Sequence, residues 1–295
     1  MLLAPYVGRF APSPTGALHA GSLVTALGSF LDARAHDGRW LLRIEDVDEA
    51  RSVAGAEAAI IEVLGQLGMH SDGPILRQSE RKQRYAEACA RLGTYVYPCA
   101  CSRSEIALSS TLRAADGAPL YAGTCRQGLP PGKSGRSLRL RVPDAPHDLI
   151  TFNDRHLGPC QQALASEVGD FVLRRVEGYW AYQLAVVVDD AEQGVSDVVR
   201  GMDLLDSSAR QLYLQDLLGY ARPRYLHLPL VVNAGGEKLS KQTGAAPILP
   251  GADEASRLAL LQQAAGFLQL DTVGADSLAA FWRRALQSWR ARWVD

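Results

Sequence analysis

Three groups of residues in this chain have types and spacings that could do chemistry. The first is "GRFAPSPTGALHAG", where Pro12 and Pro14 precede His19 and Gly21. Each proline fixes its own φ and restricts the residue before it, so the loop is held in one shape. His19 then heads an apolar run with helical spacing. Unpaired N–H groups at a helix start carry partial positive charge and suit a phosphate. Gly16 and Gly21 would let backbone or ligand approach closely. The second group is "EKLSKQTGA", with Lys238, Ser240 and Lys241 following Gly235 and Gly236. Two ammonium groups on such a loop would clamp a polyphosphate as charge builds on it. An ordinary turn and a solvated surface loop remain the plain alternatives for these two stretches. The third group is cysteine: Cys99 and Cys101 form a C-x-C pair, and Cys125 lies in "YAGTC". Three thiols near a loop-rich region suggest zinc, but a structural tetrahedral site takes four ligands. Spacing offers no fourth Cys or nearby His, and Tyr121 is only an unusual candidate.

Elements must position these groups. The 295 residues are 47% apolar and 21% charged, which fits a globular chain with one large domain or two smaller ones. No apolar stretch reaches the roughly 18 residues of a membrane span. "MLLAPYVGRF" lacks the basic start and long apolar run of a secretory signal, so a cytoplasmic location is expected. Five unevenly spaced Cys argue against a disulfide framework, and Cys89 reads as a core residue. A net charge of −1 argues against a protein that coats nucleic acid without specificity, but leaves a local basic groove open.

"PYVGRFAP" reads as a strand, 17–35 as a helix, and "RWLLRIED" as a strand ending in acids. Helices are expected over 54–67 and 79–92, then a strand in "TYVYPC". The alternation predicts a doubly wound α/β domain with parallel strands. Residues 103–137 read as loop, followed by strand-like "SLRLRV", "LITFND" and "DFVLRR". The α/β pattern resumes with "AYQLAVVVDDA", a helix near 207–218 and the strand "LHLPLVV". The expected division is 1–98 and 179–250 as two halves of the α/β domain, 99–178 as an insertion, and 251–295 as C-terminal helices. In the last helix Trp282, Leu286, Trp289 and Trp293 share a face, with Arg283, Arg284, Arg290 and Arg292 largely elsewhere. Such a face packs on a core more often than it touches RNA.

Taken together, "PSPTGALHAG" and "KLSKQ" resemble the HIGH and KMSKS signatures of class I aminoacyl-tRNA synthetases. "GRFAPSPTG", "LLRIEDVD", "DVVRGMDLL" and "LPLVVNAGGEKLSKQ" resemble the glutamyl/glutaminyl branch in order and spacing, over residues 8–243. Two positions depart from the signatures, Ser22 and Gln242. The resemblance implies a Rossmann-like catalytic domain that activates L-glutamate with ATP and Mg²⁺. It implies His19 and Lys241 as catalytic donors, and Pro12, His19, Gly21, Lys238, Ser240 and Lys241 around ATP. For glutamate it implies Arg9, Phe10, Ala11, Pro12, Ser13, Glu45, Tyr182 and Arg200. Arg9 and Arg200 would hold carboxylate and Glu45 the ammonium, which suits the bidentate fork of Arg. A structural Arg9–Glu45 bridge is the alternative.

"CxC…Y-x-G-x-C" resembles the zinc site of short paralogues in this branch, which implies one Zn²⁺ held by Cys99, Cys101, Tyr121 and Cys125. Those paralogues lack the anticodon-reading region and attach glutamate to the cyclopentenediol of queuosine in tRNA(Asp). Here residues 243–295 read as no more than two helices. The implied partners are ATP, L-glutamate and queuosine-bearing tRNA(Asp), with the chain a monomer. Two rivals stay open: a truncated synthetase charging a tRNA 3′ end, and a non-catalytic protein that binds glutamate or RNA.

Overall fold

The computed structural model describes residues 5–115, 117–230 and 247–294. In chain order the elements are β1 (Val7–Phe10), β2 (Leu18–His19), α1 (Ala20–Ala35), β3 (Arg39–Ile44), α2 (Ala56–Gln66), β4 (Leu76–Arg77), α3 (Lys82–Arg91), β5 (Val96–Cys99), α4 (Arg103–Ser109), β6 (Ser137–Leu140) and β7 (Leu149–Asp154). They continue with β8 (Gly158–Ala163), α5 (Leu164–Glu167), β9 (Phe171–Arg174), α6 (Tyr182–Glu192), β10 (Asp197–Gly201), α7 (Ser208–Leu218), β11 (Arg224–Leu228), β12 (Pro247–Ile248), α8 (Glu254–Phe267) and α9 (Leu278–Trp293).

β1 and β3 are almost wholly buried runs, as strands covered on both faces must be. β1 pairs with β3 in parallel, and β3 with β4. On its other side β1 meets the entry to β10, where Ser196 N donates to Val7 O over 3.0 Å. β10 and β11 are parallel, and β11 continues in parallel to β7. Two apolar cores flank this arrangement. One gathers Leu23, Leu27, Ile60, Leu64, Leu261 and Trp289 from α1, α2, α8 and α9. The other gathers residues of α3, α6 and α7, among them Tyr85, Val187 and Leu214. Helices on both faces of a parallel sheet bear out the α/β expectation.

Several elements differ from the sequence reading, each for a local reason. α1 begins at Ala20 rather than 17, because Leu18 and His19 are extended and pair with Ile248 and Pro247 of β12. The helix expected from 79 opens with a 3₁₀ turn, Gln78–Arg81, before α3. The 103–137 loop contains α4, started by a capping box between Ser102 and Glu105. Residues 99–178 contribute to two sheets. β6 and β9 join β5 in a small antiparallel sheet. The β7–β8 hairpin instead extends the parallel sheet beyond β11.

The aromatic face of α9 packs inward. Trp289 is fully buried and donates from Nε1 to Asp32 Oδ1 over 3.0 Å, while Trp282 lies against Phe30. No helix among the described residues is long and apolar enough to cross a membrane.

Candidate active site and metal centre

In a doubly wound sheet the crevice opens at the carboxyl ends of the strands, where the strand order reverses. Here β1 lies between β3 and β10, and a cleft of about 820 Å³ opens at their carboxyl ends. Phe10, Ala11, Pro12 and Ser13 leave β1 into it, Glu45 follows β3, Arg200 comes from β10, and Tyr182 starts α6. Arg9 lines it too. The eight residues expected around glutamate therefore converge, although they span more than half the sequence.

The loop after β1 is fixed as its prolines suggest. Glu45 N donates to Pro12 O over 2.9 Å and Val53 N to Pro14 O over 2.9 Å. Gly16 adopts φ +136°, which a side chain would resist. His19 is the N-cap of α1, and its Nδ1 accepts from Ser22 N at 3.3 Å. His19 and Ser22 line the cleft beside the positive end of α1. Gly21 sits in the first turn of α1 and is not among the lining residues. Lys238, Ser240 and Lys241 lie outside the described residues.

The alternative of a structural bridge between Arg9 and Glu45 is not what the structure shows. Arg9 Nε donates to Asp190 Oδ1 at 3.1 Å, and Glu45 Oε1 accepts from Arg43 Nη2 at 3.3 Å. Arg43, wholly buried, also reaches Asp190 Oδ1 at 2.7 Å and lies 4.0 Å from Asp189. Asp189 accepts from Gln78, Tyr85 and Arg81. Burial pushes the Glu45 carboxyl up to about 7, with Arg43 and Arg9 pulling the other way. Burial would raise Asp190 too, but Arg43 and Arg9 outweigh it and hold that carboxyl below its usual range. A carboxyl poised near neutrality in the cleft suits an ammonium partner. Arg43, Gln78, Asp189 and Asp190 were not singled out from sequence. The signal was present in "LAVVVDDAE": two adjacent acids closing an apolar helical run are buried only if cations meet them.

Arg200 is 3% exposed and forms no ion pair among the described residues. A second cavity of about 490 Å³ shares Arg175 and Ala181 with the cleft and carries Arg103, Arg136 and Arg139 in its wall.

The Cys99, Cys101 and Cys125 sulfurs all lie within 4.8 Å of one another. Tyr121 joins them: its hydroxyl oxygen lies 3.4 Å from Cys99 Sγ and 3.7 Å from Cys101 Sγ, and Cys101 and Cys125 sulfurs are 3.7 Å apart. A tetrahedral zinc with bonds of about 2.3 Å to sulfur and about 2.0 Å to oxygen has edges of about 3.8 Å and about 3.5 Å. The spacing therefore fits zinc. Arg139 Nε donates to Cys99 Sγ at 3.4 Å, and its guanidinium stacks over the Tyr121 ring, which favours anionic ligands.

Over residues 6–252 the chain matches the family described as tRNA synthetases class I (E and Q), catalytic domain. It is 60% identical over 296 residues to a Verminephrobacter eiseniae protein named glutamyl-Q tRNA(Asp) synthetase, with 100% of both chains covered. A protein of that name from Janthinobacterium sp. is 56% identical over 292 residues, with 98% of each covered. Among solved structures, a glutamate tRNA ligase from Elizabethkingia meningosepticum in complex with its amino acid aligns with TM-score 0.75 and 28% identity. A glutamate-tRNA synthetase from Elizabethkingia anophelis aligns with TM-score 0.76 and 27% identity. Each alignment covers 95% of this chain, but the chain spans only 64% and 66% of those two structures.

Proposed function

This chain belongs to the class I tRNA synthetases of the E and Q type, in the group of the glutamyl-Q tRNA(Asp) synthetases, and we propose that it activates L-glutamate with ATP and transfers it to queuosine in the anticodon of tRNA(Asp). The observation that carries the amino-acid half is the cleft itself. It presents two buried arginines and a buried carboxyl poised near neutrality, the complement of a molecule with two carboxylates and one ammonium.

In the first step a glutamate α-carboxylate oxygen attacks the α-phosphorus of ATP. The bond to the bridging oxygen breaks, pyrophosphate leaves, and glutamyl-adenylate remains. Charge gathers on the phosphoryl oxygens, and donors aimed at them lower the barrier. In this proposal His19, the N-cap of α1, donates to them, and Pro12 and the backbone near Gly21 shape the nucleotide side. Lys238, Ser240 and Lys241 carry the remaining phosphate contacts in this proposal, and Mg²⁺ neutralises charge on the nucleotide when bound. In the second step a hydroxyl of the cyclopentenediol attacks the adenylate carbonyl. The new ester forms, AMP leaves, and the hydroxyl proton passes to base or solvent.

The cavity walled by Arg103, Arg136 and Arg139 adjoins the cleft through Arg175, so an RNA strand leaving the reaction centre would meet guanidinium groups. Zinc held by Cys99, Cys101, Tyr121 and Cys125 would tie β5 to the 121–125 loop and so stiffen that wall. The proposal includes a monomeric, cytoplasmic enzyme.

The test is transfer of labelled glutamate, with ATP, to tRNA(Asp) bearing queuosine, tRNA(Asp) lacking it, and tRNA(Glu). Label on the queuosine-bearing RNA alone is expected. Label on tRNA(Glu) would instead make this a 3′-end charging enzyme, and no glutamate-dependent pyrophosphate exchange would make it a binding protein.

A further inference from the structure

Among the described residues, the hydrogen-bond partners of the buried Arg200 guanidinium are all uncharged. Its Nε donates to His227 Nε2 at 3.0 Å, Nη1 to Gln211 Oε1 at 2.7 Å and Nη2 to Ser208 Oγ at 2.9 Å. Its Cζ stands 4.9 Å from the centre of the Tyr225 ring. A guanidinium has five N–H donors, so one on each of Nη1 and Nη2 is left over. Among the described residues no acceptor takes them. Arg9 and Arg43, by contrast, are neutralised within the protein by Asp190 and its neighbours.

The proton positions on His227 follow from chemistry. A guanidinium Nε only donates, so His227 Nε2 must accept. The ring is then neutral and its proton sits on Nδ1, which donates to Asp154 Oδ2 at 2.7 Å. Asp154 is fixed in turn by the backbone N–H groups of His156, Leu157 and His227. A protonated ring would set N–H against N–H at Arg200, and burial together with the Arg200 charge pushes the His227 pKa down. The imidazole thus stands between a buried carboxylate and a buried guanidinium. Both side chains are almost fully enclosed, and His227 is wholly so.

We propose that His227, locked in its Nδ1–H form by Asp154, is a positioning residue that holds Arg200 toward the cleft with its charge unspent. This rests on the glutamate reading of the cleft and deepens it. A buried cation without a counter-ion is costly, and the cost is relieved when a carboxylate arrives.

Two substitutions separate the two bonds of the ring. In His227→Asn the amide nitrogen replaces Nδ1 toward Asp154 but nothing accepts from Arg200 Nε. In His227→Gln the amide oxygen replaces Nε2. Binding of L-glutamate and of ATP is measured by calorimetry on the full chain, beside the melting temperature. His227→Asn is expected to weaken glutamate about tenfold and leave ATP within about twofold, while His227→Gln stays within about threefold of the unsubstituted protein. Glutamate binding unchanged in His227→Asn, or ATP weakened equally, would overturn the proposal. If His227→Asn does not fold, Ser208→Ala tests the same cradle. A loss of about threefold for glutamate alone supports it and no change overturns it. Failure of the underlying reading looks different, because the unsubstituted protein would then not bind glutamate at all.

Discussion

Arg9 donates to both oxygens of Asp190, from Nε at 3.1 Å and from Nη2 at 3.4 Å. Asp190 sits on α6, eight residues after Tyr182, and also meets Arg43. One carboxylate on one helix therefore aims a cation from β1 and braces another from β3. Removing a partner from a buried pair leaves a charge in low dielectric. Asp190→Ala is expected to lose about 3–5 kcal/mol of stability, read as a lower urea midpoint. A midpoint within error of the unsubstituted protein would mean that water reaches this cluster.

Glu45 links pH to binding. Its carboxyl is protonated below about 7, and only the ionised form attracts an ammonium. Glutamate affinity is therefore expected to fall as pH drops from about 7 toward the ordinary carboxyl value, with proton release on binding near pH 6.5. The stability sign runs the other way. A carboxyl whose folded pKa is raised makes the unliganded protein more stable as pH falls through that same window. Calorimetry in buffers of different ionisation enthalpy measures the released proton. Glu45→Gln should abolish the release and the affinity together.

The cluster of Cys99, Cys101, Tyr121 and Cys125 predicts one zinc per chain. Metal analysis should find it in the purified protein and lose it in Cys125→Ser. Tyr121→Phe should retain zinc less tightly, since a water can take the fourth position. Chelation is expected to lower the melting temperature, because a bound ion would tie β5 to a loop more than 20 residues later. Full zinc content in Cys125→Ser would remove the site.

Asp32 predicts how α9 is held. It accepts from Tyr6, Arg155 and Trp289, so the first strand, the β7–β8 turn and the last helix meet on one buried carboxylate. Trp289→Ala should cost about 3–5 kcal/mol from lost packing. Trp289→Phe keeps much of the packing but leaves an Asp32 oxygen short of a donor, for about 1–3 kcal/mol. Urea unfolding measures both. Two nearly silent substitutions would show that α9 is only loosely docked.

The sequence by itself determined the α/β class, because strand and helix periods alternate over 1–98 and resume after 179. Its motifs carry a family resemblance that implies which residues to expect around an amino acid and a metal, whereas spacing alone offers only the three thiols of Cys99, Cys101 and Cys125. It did not determine who pairs with whom. Whether Arg9 meets Glu45 is not written in their residue types, and in the structure Arg9 pairs with Asp190 while Glu45 accepts from Arg43. Asp189 and Asp190 lie in "AYQLAVVVDDA", the stretch that forms α6. Only packing that helix against β1 and β3 made them buried, and burial is what turned them into counter-ions. His227 was one residue of the strand "LHLPLVV" until β11 met β7 and set it between Asp154 and Arg200. Pairing across long sequence separations depends on which strands become neighbours, and local periodicity carries no record of that choice.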